Sequence, residues 1–374
     1  LKQHGYYTVS NGKVFHHPED SAVGWSEPAW RPGRPAAGVP TPAKSGAKKG
    51  GATGKGQSQK QEDGKSRGAP FQISERNDDE LGDGQLAAKT IADLRRLKDQ
   101  GQPFFLAAGF FKPHLPFIAP KKYWDLYPAG SIKLPANYHP PRDAPAASIH
   151  NSGELRAYQG VPKTGRVPDE LALNLIRGYH ACVSFTDAQI GKVLDELDRL
   201  DLAKNTIVIL WGDHGWNLAE HTLWCKHSCY ETSMRVPLII RAPGFQGGLK
   251  TDALTELIDV YPTLCELAGV PVPAHVQGRS FVPLMKNPAQ PWKDQAIGRF
   301  TNGDTIRTDQ FRFTEYTDRQ RGPIARMLYD HRADPGENIN ISEQPAHAET
   351  TTRLTGRLRA GKGKDGDLPA RTAR

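Results

Sequence analysis

From residue 79 onward the chain alternates between two hydrophobic patterns. In DELGDGQLAAKTIADLRRLK (79–98), Leu86, Ile91, Leu94 and Leu97 recur at helical spacing, whereas PFFLAAGF (103–110) is almost continuously apolar. The first pattern predicts a helix with one buried stripe, the second a buried strand. The same pair returns in LALNLIRGYHACVSFTDAQIGKVLDELDRLDL (171–202) and NTIVILWGDHG (205–215), and VPLIIRAPG (236–244) adds a third such strand. LTELIDVYPTLCELAGV (254–270) predicts a helix with Gly269 as its stop. Upstream, residues 1–17 predict a short helix end, a break at Gly5, and a strand with its exit in YYTVSNGKVFH. Strands alternating with helices predict an α/β fold, a mostly parallel sheet sandwiched by helices.

Between 296 and 330 the pattern shortens to polar–apolar alternation, in TIRTDQFRFTEY and RMLYD, and predicts a small antiparallel sheet. The expected organisation is therefore an α/β domain over 1–290 and a small C-terminal subdomain over 291–342, followed by a basic, frayed tail over 343–374. Proline-rich 112–168 reads as an extended loop. Residues 41–70 are mostly Gly, Lys, Gln and Ser, cannot offset their ordering entropy by burial, and read as a disordered insertion.

Composition narrows the function classes. The net charge of +8 points to a polyanion partner at first sight, but the basic residues concentrate in 44–67 and 353–374, with no aromatics interleaved as nucleic-acid binding would need. Nucleic acid is set aside, and an anionic small substrate stays open. No apolar run reaches the roughly 18 residues of a membrane span. Cys182, Cys225, Cys229 and Cys265 form no C-x-x-C pair and signal neither a disulfide framework nor a structural zinc.

In open α/β sheets ligands bind beyond the carboxyl ends of the strands, so polar residues just after an apolar run matter most. Lys13 and His16 follow the first strand, Lys112 and His114 follow PFFLAAGF, and Asp213 and His214 follow TIVIL. A single loop histidine is more often a hydrogen-bonded bystander. Histidine at three strand exits, with only 13 in 374 residues, argues for convergence. Asp213 and His214 are adjacent and can face one ion, and Gly215 lets the backbone approach closely; the other reading is that Asp213 caps a turn. Carboxylate suits a hard cation and imidazole suits zinc, which leaves the metal undecided. Lys226 beside a cation would be repelled unless an anion lay between them, so sulfate and phosphate esters are the natural substrates.

With those residues in view, the chain resembles the sulfatase family, in its iduronate-2-sulfatase-like branch of the alkaline-phosphatase-like superfamily. The stretches that carry the resemblance are GKVFH (12–16), SEPAW (26–30), PFFLAAGFFKPHLPFIAPKKYWDLYP (103–128), the run from Gly178 to Gly244 that contains WGDHGWNLAEHTLWCKH, and MLYDHRADPGENINIS (327–342). The resemblance implies hydrolysis of sulfate esters of a sugar or polysaccharide, by a formylglycine nucleophile and a calcium ion. It further implies that Asp213 and His214 bind the calcium, and that Lys13 and His16 hold the formylglycine hydroxyls and the sulfate. His114 and Lys226 would contact the sulfate and the ester oxygen, with His114 as proton donor to the leaving alcohol. His221 and His227 are left as loop or supporting residues.

One part of the family pattern is missing. CVSFT, CKHSC, CYETS and CELAG do not match C-x-P/A-x-R, no serine stands in such a motif, and the family's adjacent Asp pair is absent. Both are expected upstream of residue 1, together with a signal peptide, so the chain as given is expected to be an inactive fragment. The full-length protein would be periplasmic, secreted or lysosomal, would have a formylglycine-generating or equivalent maturation enzyme as partner, and would have no membrane span. Two other readings stay open: a phosphodiesterase or phosphonate hydrolase of the same superfamily, and a non-catalytic remnant.

Overall fold

The computed structural model describes residues 1–17, 20–33 and 67–362. In chain order the elements are β1 (Tyr7–Gly12), β2 (Phe71–Ser74), α1 (Gly82–Gln100), β3 (Phe104–Gly109), β4 (Phe117–Pro120), α2 (Lys121–Asp125), α3 (Gly153–Arg156) and α4 (Asp169–Arg199). Then come β5 (Val208–Trp211), β6 (Asn217–Leu218), β7 (Trp224–Cys225), α5 (Glu231–Met234), β8 (Leu238–Arg241), α6 (Val260–Leu267) and α7 (Val282–Lys286). The last are β9 (Ala296–Phe300), β10 (Gly303–Arg307), β11 (Phe311–Asp318), β12 (Gly322–Asp330) and α8 (Ala348–Lys362). They divide into two units. The first holds Leu1–Ile132, Arg156–Val161 and Asn174–Leu202; the second holds Lys133–Leu155, Pro162–Leu173 and Ala203–Arg374.

In the first unit β1 and β3 pair in parallel, from Tyr7 against Phe104 to Gly12 against Gly109. β2 and β4 form a second parallel pair. The α1 crossover buries Leu86, Leu94 and Leu97, the stripe expected of it, with Ile91 only half-buried. Gly101, left-handed at φ 67°, ends that helix. Along α4, Leu175, Ile176, Phe185 and Leu197 are buried, and Gly178 lets the helix pass close to Trp124, where a Cβ would lie 2.8 Å from the ring. Asp78 is buried at the focus of Lys122, Tyr123, Gln189 and Lys192. Burial opposes its ionisation, but these donors outweigh it and hold the carboxyl well below its usual range. Residues 67–70, expected to belong to the disordered insertion, are placed: Arg67 N–H donates to Ala157 O, Gln159 N–H to Gly68 O, and Phe117 N–H to Pro70 O. Backbone pairing fixes them where composition could not. The rest of the expected insertion, 41–66, lies outside the described residues.

In the second unit β5 and β8 pair antiparallel, Val208 against Arg241 and Trp211 against Leu238. The segment joining them carries the two-residue strands β6 and β7, a 3-10 turn at Glu220–Thr222 and the four-residue α5, not the long crossover helix that accompanies parallel pairing. The C-terminal sheet has the order β12-β11-β10-β9, all antiparallel. Its strands alternate with period two. Tyr316, Met327 and Tyr329 pack with Leu223, Cys229 and Tyr230, while Ile306, Phe313 and Leu328 pack with Leu354 and Leu358 of α8.

These contacts correct the expected organisation twice. The C-terminal sheet does not separate near 290, because its first face shares a core with residues 223–230. Nor are residues 343–362 frayed: α8 lies on the sheet through Leu354 and Leu358, both fully buried. Two leucines four apart in a polar segment suffice for a docked helix but are too few to read as a pattern. Residues 363–374 lie outside the described set. Leu358→Ala is expected to lower stability by about 2–5 kcal/mol, read as a shift of the denaturant midpoint at constant slope. The proline-rich 112–168, expected as loop, holds β4, α2 and α3 as short pieces within it.

Candidate active site

The exits of β1 and β3 are pressed together by facing glycines. A Cβ on Gly12 would lie 2.2 Å from Gly109 O, and one on Gly109 would lie 2.3 Å from the Lys13 backbone. Gly12 is also left-handed, at φ 76°. This close approach lets Lys13 N–H donate to Gly109 O at 2.7 Å and turns the chain off the strand. Three residues on, His16 is exposed, its ring edge-on to His17 at 4.7 Å, and its carbonyl accepts from Arg31.

Beyond β3 the loop is held from two sides. Asp83, buried in the first turn of α1, accepts the N–H groups of Phe111 and Lys112 at 2.9 and 2.8 Å. Burial raises its pKa against those hydrogen bonds. Lys112 donates to the carbonyls of His114 and Pro116, so it braces the loop, and burial lowers its pKa. His114 Nδ1 donates to Leu115 O at 2.7 Å, which fixes the orientation of the ring.

In the second unit Asp213 and His214 stand immediately beyond β5. The Asp213 side chain is 68% exposed, with Oδ2 3.6 Å from His214 Nε2. His214 Nδ1 donates to Gly215 O at 2.9 Å, so in the neutral ring Nε2 is an acceptor directed towards the carboxylate. Two acceptors 3.6 Å apart form an edge that ligands roughly 2.4 Å from one cation would make. The pair therefore fits part of a cation site. Gly215 is required where it stands, since a Cβ there would meet Thr232 O at 2.0 Å.

The loop from Asp213 to His227 is strained. Ala219, His221, Thr222 and Cys225 all have positive φ, a conformation that costs non-glycine residues about 1–3 kcal/mol each. It is offset by a dense set of ties. His221 N–H donates to Asn137 O, Ala219 N–H to Leu223 O, and Asn217 Nδ2 to Cys225 O. His221 itself is buried, its Nε2 donating to Gly336 O at 2.9 Å and its ring against Tyr230 at 4.4 Å. It anchors the loop to Asn137 and Gly336.

Lys226 follows this strained stretch. Its ammonium lies 5.3 Å from the centre of the Trp216 ring, and Trp216 lies 6.1 Å from the His214 ring. It also pairs with Glu154, at 3.1 and 3.2 Å from the two carboxylate oxygens. His227 Nε2 is 3.5 Å from the same carboxylate, and the His227 ring meets His150 edge-on at 5.8 Å. Burial, with His227 nearby, pushes the His150 pKa down to about 4. An unfolded chain takes up that proton near pH 6.5, so between these values the unfolded state binds more protons and stability falls as pH falls. His150 is expected to contribute a loss approaching about 3 kcal/mol between pH 7 and 4, read as the difference in urea midpoints between the wild type and His150→Gln.

Sequence reasoning missed Asp83, Lys112's bracing role and Glu154. Asp83 could have been sought in the first turn of a helix next to a strand exit; Glu154 has no local signal, because its partner is 72 residues away. Another cluster, Glu231, His331 and Glu337, brings its ligand atoms within 4.8 Å of one another. Arginines already occupy it, Arg312 with Nε 3.1 Å from Glu337 and Nη2 against Glu231, and Arg307 with Nε 3.5 Å from Glu231. All four cysteines are buried and free. Burial pushes Cys182 up to about 12 and Cys229 up to about 11, and raises Cys225 as well. At those three positions burial disfavours the thiolate, the nucleophilic form.

The chain matches the family model described as Sulfatase over residues 1–270, and that of the N-sulphoglucosamine sulphohydrolase C-terminal region over 219–364. It is 33% identical over 321 residues to iduronate 2-sulfatase of Mus musculus, covering 75% of this chain and 55% of that protein. A sulfatase of Formosa agariphila is 36% identical over 251 residues, covering 65% and 47%. The chain thus spans about half the length of the curated relatives it matches. Among solved structures, that of BT4656 in complex with its substrate D-glucosamine-2-N,6-O-disulfate superposes with a TM-score of 0.72 at 20% identity, over 99% of this chain and 82% of that one. The phosphonate monoester hydrolase of Silicibacter pomeroyi gives 0.66 at 24% identity, over 77% and 61%. The α/β fold with its C-terminal antiparallel sheet is thereby the sulfatase and alkaline-phosphatase-like fold. Among the described residues no helix is long and apolar enough to cross a membrane.

Proposed function

Since the chain belongs to the sulfatase family, we propose that it serves a sulfuric ester hydrolase acting on a sulfated sugar or polysaccharide, with calcium as the metal. The observation that carries this reading is the Asp213–His214 pair, whose ring orientation is fixed by Gly215 O and whose two acceptors are spaced for one cation. A hard cation there would supply Lewis-acid polarisation of the sulfate oxygens. The residues of this chain do the rest. Lys226 neutralises the sulfate with an ammonium steadied by Trp216. Lys13 and His16 hold anionic oxygens of sulfate and nucleophile at the β1 exit. His114, with Nδ1 committed to Leu115 O, delivers the proton from Nε2 to the leaving alcohol oxygen. The nucleophile in this reading is a formylglycine, made by a maturation enzyme from a residue other than the buried thiols above.

The test is hydrolysis of p-nitrophenyl sulfate by the full-length protein, with and without EDTA followed by calcium. Calcium-restored sulfatase activity supports the reading. Turnover of a phenylphosphonate ester alone would move the chain to the phosphonate hydrolases, whose members share its fold. Calcium-independent activity, or no turnover of either ester, would overturn it.

A further inference from the structure

We propose that Glu154 is a positioning residue for Lys226, acting as a built-in competitor of the substrate's sulfate; this rests on the sulfatase reading. The side chains of Lys226 and Glu154 are only 21% and 13% exposed, so the pair is weakly screened. Both carboxylate oxygens reach the ammonium, at 3.1 and 3.2 Å, while the Trp216 ring lies 5.3 Å away. A lysine side chain otherwise has four rotatable bonds and a large rotamer entropy. Confined between a carboxylate and an aromatic ring, its charge is aimed before any anion arrives.

Glu154 lies in α3, a four-residue helix kept beside this loop by a second tie, Ser152 Oγ accepting the Trp224 N–H at 3.1 Å. His227 Nε2 also lies 3.5 Å from Glu154 Oε2, so one carboxylate faces two consecutive residues of the loop. A carboxylate and a sulfate make the same kind of claim on an ammonium. Binding sulfate therefore means sharing Lys226 with Glu154 or displacing it. The competition weakens ground-state binding, and the aim it gives favours turnover.

The test compares Glu154→Gln with Glu154→Asp in the full-length protein. The two readouts are dissociation of inorganic sulfate and steady-state hydrolysis of p-nitrophenyl sulfate. Glu154→Gln is expected to bind sulfate about fivefold more tightly and to lower KM, because the competing charge is gone. Its kcat is expected to fall about tenfold, because the ammonium is no longer aimed. Glu154→Asp, which keeps the charge, should restore part of the kcat. Unchanged KM and kcat in Glu154→Gln, or weaker sulfate binding together with a lower thermal midpoint, would overturn the proposal and leave the sulfatase reading standing. A wild-type protein that neither binds sulfate nor cleaves the ester would instead overturn the sulfatase reading, and the role of Glu154 with it.

Discussion

Asp213→Ala in the full-length protein is expected to abolish sulfate-ester hydrolysis, with kcat/KM falling by about three orders of magnitude or more, on the scale of losing electrostatic stabilisation of the transition state. The carboxylate is 68% exposed, so the fold should not depend on it and, measured in EDTA, the thermal midpoint should stay within about 1 °C of wild type. That combination separates loss of a ligand from loss of structure. Isothermal titration with calcium provides the second readout: the wild type should bind and the variant should bind far more weakly. Wild-type activity in Asp213→Ala would overturn the assignment of this residue to the metal.

The largest expected effect on stability is at Arg312. Its side chain is 3% exposed, and its guanidinium reaches Glu231 on α5 and Glu337 beyond β12, while Nη1 donates to Thr305. Burial opposes ionisation of Glu231, but Arg312, with Arg307 and His331 adding to it, holds the carboxyl below its ordinary range. Arg312→Ala leaves two carboxylates in place without their main counter-charge, and the expected loss is about 3–5 kcal/mol, measured by urea unfolding at pH 7. Arg312→Lys should recover only part, since one ammonium cannot reproduce the fork that joins the two acids. A loss below about 1 kcal/mol for Arg312→Ala would mean that His331 and Arg307 suffice.

Much of the fold could be read along the chain because the strongest patterns are local. Leu86, Leu94 and Leu97 mark α1, Gly101 and Gly269 end helices in left-handed geometry, and the alternation from 305 to 330 follows the strands of the C-terminal sheet. What escaped depends on partners distant in sequence. The antiparallel pairing of β5 with β8 is decided by a connection without a crossover helix, and the order of residues 67–70 by backbone hydrogen bonds to residues 117, 157 and 159. α8 carries too few apolar positions to reveal itself before the sheet surface that receives it is known.

The site divides in the same way. Asp213, His214, Lys226, Lys13, His16 and His114 could be singled out because each follows a strand exit or stands in a recognisable motif. Glu154 could not, because a carboxylate gains meaning only from the ammonium it faces. Likewise, nothing in EHTLW shows that His221 turns inward to Tyr230 and Gly336 O while Lys226, five residues later, reaches Glu154 and Trp216.

The burial of all four cysteines makes the native chain a quiet background for thiol chemistry. Maleimide reagents will find no accessible native sulfhydryl on the folded chain. A single cysteine introduced at Val23, whose side chain is 90% exposed, would then carry a fluorophore or spin label at one defined address. A label there would sit beside the start of β1, where Val23 O accepts from Lys2, without replacing any of the four cysteines of this chain.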